Sequence, residues 1–66
     1  MKVRVNGNDH QLAESATVAE VLTLLAAPST GIAVALDGAV VPRASWAETR
    51  LREGSVVEVL TAVQGG

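Results

Sequence analysis

Cysteine is absent from this 66-residue chain, and so are phenylalanine and tyrosine. Without thiols there can be no disulfide framework, thiolate metal site or cysteine nucleophile. One histidine, His10, cannot by itself assemble a metal site or a Ser-His-Asp constellation. Positive charge is also short, since five basic residues against seven acidic ones leave a net charge of −2. With Trp46 as the one aromatic residue, the chain lacks both the basic stripe and the stacking rings of a nucleic-acid reader. No apolar run approaches the roughly 20 residues of a membrane span, and no signal-peptide pattern opens the sequence. The expected compartment is the cytoplasm, with neither nucleic acid nor membrane as a partner. An enzyme in the usual sense is not expected, because the side-chain chemistry is missing.

What remains is a chain rich in small apolar residues. Apolar types make up 48% of it, which suits a packed interior and not a disordered tail. The length allows one core, so residues 1–66 are expected to form a single domain. Lys2-Val3-Arg4-Val5 alternates as a half-buried strand does, and Asn6-Gly7 behind it is a hairpin-turn signal. His10 to Ala13 then reads as a short return strand. Thr17-Val18-Ala19-Glu20 is a capping box, followed by Val21, Leu22 and Leu25, which share one helical stripe with Val18. Pro28 predicts that this helix stops near Ala26 or Ala27.

Beyond the helix, Ile32, Val34 and Leu36 share one strand face, and Asp37-Gly38 turns the chain into Ala39-Val40-Val41. Pro42 cannot donate to a ladder, so that strand is short or at an edge. Ser45 to Glu48 predicts a single helical turn, and Glu53-Gly54 another reversal. The longest strand is predicted for Ser55–Val63, with Val57, Val59, Thr61 and Val63 on one face. Val56, Glu58, Leu60 and Ala62 fall on the other. One helix can cover only one face of a sheet, so an α+β layer is expected. The helical connection is long enough for a crossover to a parallel neighbour. The simplest compact solution pairs the first and last strands centrally. That is a ubiquitin-like β-grasp: a mixed sheet of about five strands against one main helix.

The sequence closes on Gln64-Gly65-Gly66. Two residues without Cβ leave a terminal carboxylate unhindered and let the backbone thread a narrow cleft. A flexible tail of about residues 64–66 is therefore expected. A carboxylate is a poor electrophile until its oxygen attacks the α-phosphate of ATP and forms an acyl adenylate. A sulfur nucleophile replacing AMP then gives a thiocarboxylate, and an amine gives an isopeptide. This chain would supply only the acyl group. It binds no cofactor itself in this reading, and ATP and Mg²⁺ would belong to a partner.

These residues carry a resemblance. Val5-Asn6-Gly7, Thr17-Val18-Ala19-Glu20-Val21-Leu22, Val34-Ala35-Leu36-Asp37-Gly38, Val41-Pro42-Arg43 with Trp46, Glu53-Gly54 and Val63-Gln64-Gly65-Gly66 together resemble the ThiS family, the sulfur carriers of thiamin thiazole synthesis. The likeness covers essentially the whole chain. It implies adenylation of the Gly66 carboxylate by a dedicated ThiF-like enzyme, with Gly65 and Gln64 threading the cleft. It further implies sulfur from a cysteine desulfurase or other persulfide donor, and delivery to a ThiG-like thiazole synthase. Asp37 stands where the family often has Asn, and Ser55 where the loop often reads Gly-Asp. Both are turn positions at which these side chains bond the backbone alike. The small subunit of molybdopterin synthase also ends in Gly-Gly, but its aromatic-rich first strand has no counterpart here. A carrier for molybdopterin, cysteine or tRNA thiolation, a protein modifier, and a plain interaction module remain as alternatives.

Four further residues are docking candidates. Leu60 and Ala62 would form an apolar strip leading to the tail. Trp46 either anchors the short turn on the sheet or serves as an interface hot spot. Arg43 is a solvated charge, a carboxylate partner or a docking contact. His10 reads as a surface residue without a role.

Overall fold

The computed structural model describes residues 1–28 and 30–61. The Asn6-Gly7 and Asp37-Gly38 pairs both take positive φ, 50° and 85° in the first turn and 50° and 87° in the second. Those values match the right-handed twist of the strands on either side, so each pair closes a two-residue hairpin. Strand β1 (Lys2–Val5) thereby pairs antiparallel with β2 (Asn8–Gln11), Val5 opposite Asn8 and Lys2 opposite Gln11. The return strand starts two residues earlier than the expected His10, because a two-residue turn places Asn8 directly across from Val5.

Helix α1 (Val18–Leu24) begins with the capping box intact. The Glu20 amide donates to Thr17 Oγ1 at 3.3 Å, and the Thr17 amide donates to Glu20 Oε1 at 3.1 Å. The helix ends earlier than Ala26. The Ala27 amide donates to the Leu22 carbonyl and the Ala26 amide to the Thr23 carbonyl, both at 3.0 Å, with Ala26 at φ 54°. That pair of bonds is a Schellman closure. Pro28 requires extended geometry at Ala27, which makes Ala27 the second residue past the cap and sets the cap at Leu25. Leu25 therefore leaves the expected stripe and is 36% exposed.

Strands β3 (Ile32–Leu36) and β4 (Ala39–Val41) form the second hairpin, and β5 (Val56–Thr61) is the longest strand. The sheet order is β2-β1-β5-β3-β4, with β5 parallel to β1 and antiparallel to β3. The first and last strands are thus central neighbours, as in a β-grasp. The crossover through α1 does not land beside β2. It reaches β3, which runs in the same direction as β2 but stands three positions along the sheet, with β1 and, once it is in place, β5 between them. The helical turn after β4 spans Arg43–Ser45, not Ser45–Glu48. Pro42 is responsible, since its fixed φ of −59° begins the turn and its carbonyl accepts from the Ser45 amide at 2.8 Å.

The core lies between α1 and one sheet face. Val3, Val5, Val18, Val21, Val34 and Val57 are its largest fully buried side chains. Leu51 joins them at 4% exposure. The Leu51 amide donates to the Ala16 carbonyl and the Val18 amide to the Thr49 carbonyl, both at 3.0 Å, which ties residues 49–51 alongside the start of the helix. Ser55, the other turn departure, is buried and accepts from the Arg52 amide at 2.8 Å. No buried side-chain nitrogen or oxygen among the described residues lacks a hydrogen-bond partner.

Candidate functional site

Strand alternation along β5 sends Val57 into the core and Val56, Glu58 and Leu60 to the opposite face. Cross-strand pairing then decides what surrounds them. Leu60 stands opposite Ala33, and Ala35 lies between Glu58 on β5 and Val40 on β4. Val40 and Leu60 are 76% and 65% exposed, and Val56 is also open. The outer sheet face therefore carries an apolar patch of Leu60, Ala33, Ala35, Val40 and Val56 around the single carboxylate of Glu58. A depression of about 350 Å³ lined by Gly31, Ile32, Ala33, Leu60 and Thr61 sits where β5 runs out toward residue 62. On the β1 side of the same face, Asp9 bridges Arg4 at 3.3 Å and Lys2 at 3.8 Å, so the patch is bordered by paired charges.

Two hydrogen-bonded side chains hold β5 in register under that patch. Asn6 Oδ1 accepts from the Val59 amide at 2.8 Å, and Asp37 Oδ1 accepts from the Val56 amide at 2.9 Å. The backbone amides of Asn6 and Asp37 donate in turn to Val57 and Val56 carbonyls. The tip of each hairpin is thus bonded to the central strand.

Leu60 lies where the sequence expectation put it, on an exposed apolar strip. The rest of that expectation falls on Ala62, and the tail expectation on Gln64, Gly65 and Gly66, all of which lie outside the described residues. Arg43 and Trp46 are not part of the Leu60 patch. They lie on the helix side of the sheet, beside α1. Trp46 is half-buried against the core, and its Nε1–H donates to the Val41 carbonyl at 2.9 Å, so it anchors the turn to β4. The Arg43 guanidinium stands 5.9 Å from the Trp46 ring centroid. Val40 and Ala33 were not singled out from the sequence. The three residues of β4 are too few to show an alternation, and only the pairing of Val40 with Ala35 puts it on the outer face.

Among the described residues no three His, Asp or Glu side chains converge as a metal-ligating group. Nor is any described helix long and apolar enough to cross a membrane. The fold and its patch define a class first: a small β-grasp domain with an exposed apolar patch on its outer sheet face, beside the end of β5.

The ThiS family model matches residues 3–66, and the chain belongs to that family, the small sulfur carriers of thiamine biosynthesis. It is 33% identical to a thiamine biosynthesis protein (ThiS) from Geobacter metallireducens, whose crystal structure superposes with a TM-score of 0.82 over all of both chains. A solution structure of a thiamine biosynthesis protein from the same organism gives 35% identity and a TM-score of 0.79, covering this chain fully and 88% of that one. All 66 residues also align at 30% identity with a thiazole synthase of Paramagnetospirillum magneticum. The chain spans 20% of the length of that curated relative.

Proposed function

We propose that this protein carries sulfur as a thiocarboxylate on Gly66 and delivers it to a thiazole synthase. The observation that carries the reading is that the family match runs through residue 66, so Gly65-Gly66 belongs to the matched pattern. The Gly66 carboxylate attacks the α-phosphate of ATP in a partner's active site, expelling pyrophosphate. The acyl adenylate then loses AMP to a sulfur nucleophile. Hydrosulfide gives the thiocarboxylate directly. A persulfide gives an acyl disulfide first, from which a thiol reductant releases the thiocarboxylate. The nucleotide and its Mg²⁺ are held by the partner, and the chain acts as a co-substrate in the cytoplasm. A carrier-like segment within a protein named thiazole synthase supports that enzyme as the sulfur acceptor.

In this reading the outer-face patch docks on the adenylating enzyme. Leu60 stands one residue from the end of β5, so a grip there aims the segment after Thr61 toward the nucleotide. Gly65 and Gly66 offer no side chain to a narrow channel, with Gln64 entering behind them, and by sequence alternation Ala62 would share the face of Leu60.

The test is the intact mass of the chain after incubation with ATP, Mg²⁺, the adenylating enzyme and a persulfide source with thiol. The starting mass fixes the chain end at Gly66. Exchange of one oxygen for one sulfur, located to Gly66 by fragmentation, is the expected result. An unchanged mass, with both enzymes active on another carrier, would overturn the proposal and favour conjugation or a binding role.

A further inference from the structure

A groove of about 570 Å³ separates α1 from the Arg43–Ser45 turn. Its walls are Leu22, Thr23 and Ala27 on the helix side and Arg43, Ala44 and Trp46 on the turn side. The groove exists because small residues face one another where larger ones would close it, and because the Schellman closure ends the helix at Leu24. Its floor is fixed, since Trp46 is bonded to the Val41 carbonyl. Among the described residues, the Arg43 guanidinium is the only charge in the lining. It has the Trp46 ring beside it but no carboxylate within 4.0 Å among the described residues, where the ion pairs involve Met1, Lys2 and Arg4.

We propose that this groove takes a segment of the thiazole synthase, one that offers an apolar side chain beside a carboxylate. The apolar walls favour the side chain. The guanidinium, a weakly hydrated planar fork, favours the carboxylate. Thr23, Arg43 and Ala44 are open to solvent, so the groove cannot enclose most of a small ligand but can receive a segment laid across it. It lies on the helix side, across the sheet from Leu60, and therefore leaves the outer patch accessible to another protein. The inference rests on the carrier reading in one respect, that the adenylating enzyme takes the outer patch and the thiazole synthase discharges Gly66, which leaves the groove to the latter.

Trp46 is the sole aromatic residue, so its emission reports groove occupancy without interference on the carrier side. The experiment measures binding of the complete chain to the adenylating enzyme and to the thiazole synthase of the same organism, by calorimetry and Trp46 emission. Arg43→Glu should weaken binding to the thiazole synthase by about tenfold or more, as expected for reversing a complementary charge, and leave binding to the adenylating enzyme within about threefold. Ala44→Glu should weaken the same complex, while Ala44→Lys, of similar bulk, should leave it within about threefold. Both sites are exposed, so thermal melts of the three variants should be unchanged.

Equal losses for both Ala44 variants would mean steric contact without charge recognition and would overturn the proposal. So would unaltered binding of Arg43→Glu to the thiazole synthase, a loss confined to the adenylating enzyme, or no binding of the unsubstituted chain to the thiazole synthase. A change in Trp46 emission on removing residues 62–66, with no partner present, would also overturn it, by assigning the groove to the chain's own end. The mass increment at Gly66 is read separately, so a failed groove and a failed carrier are distinguished.

Discussion

Among the described residues, three other than glycine adopt left-handed backbone geometry: Asn6, Asp37 and Ala26. The first two are types that tolerate it, because their short polar side chains bond the local backbone. Ala26 has no such compensation. Its Cβ crowds the following carbonyl, at a cost of about 1–2 kcal/mol, because the Schellman closure demands that geometry after the cap. Glycine would remove the crowding and return part of the gain as extra freedom of the unfolded chain, about 0.4–1 kcal/mol. Ala26→Gly should therefore stabilise the protein by roughly 0.5–1 kcal/mol and raise its midpoint by a few degrees. A thermal melt followed by circular dichroism decides it, and a lower midpoint would refute the assignment of strain.

Among elements, β5 depends most on residues remote in sequence. Its parallel ladder with β1 is short, and Asn6 Oδ1 lengthens it by accepting from the Val59 amide in place of a backbone carbonyl. Asn6→Ala removes that acceptor and places an unsuited residue at φ 50°, which should cost about 2 kcal/mol. Asn6→Asp keeps both the acceptor and the tolerance and should stay within about 0.5 kcal/mol. Amide exchange at Val59 should accelerate in the alanine variant alone; equal exchange in both would mean the bond does not hold β5.

The hairpins, the capping box and the edge position of β4 were legible in the sequence because each depends on a few adjacent residues. Leu51 was not legible. A lone leucine between Arg50 and Arg52 has no period, and it is buried only because its backbone joins Ala16 across the structure. Leu25 misled in the opposite sense, since its spacing fits the stripe but the helix has ended before it. The apolar patch was half legible: alternation separated Leu60 from Val59, but alternation within one strand does not name the neighbours on the next.

At the scale of the whole molecule, the core is built almost wholly of valine, and a 66-residue domain without disulfides holds about 3–10 kcal/mol of stability. Val57 is fully buried at the centre of the sheet, between Val5 and Leu36. Val57→Ala should cost about 2–3 kcal/mol and lower the midpoint by roughly 10 °C or more. Leu60→Glu, three residues along and on the other face, should leave the midpoint within a few degrees, since surface changes stay within about 0.5 kcal/mol. The same variant should lose most adenylation at Gly66, read as slower thiocarboxylate formation in the mass assay. Full activity of Leu60→Glu would remove the outer face from the docking reaction. The contrast between neighbours of like size separates folding from recognition on a single strand.

The sequence by itself determined where the chain turns, where its one long helix starts, which residues alternate and which chemistry is missing. Such signals are local, arising from backbone sterics, caps and side-chain period over a few residues. Tertiary structure alone decided that the helix crossover skips two strand positions, that Leu51 is core, and that Val40 joins Leu60 on one face. It also decided that Arg43 and Trp46 line a groove apart from that face. Each of these depends on which distant backbone groups pair once β5 enters between β1 and β3, and no window of neighbouring residues contains that information.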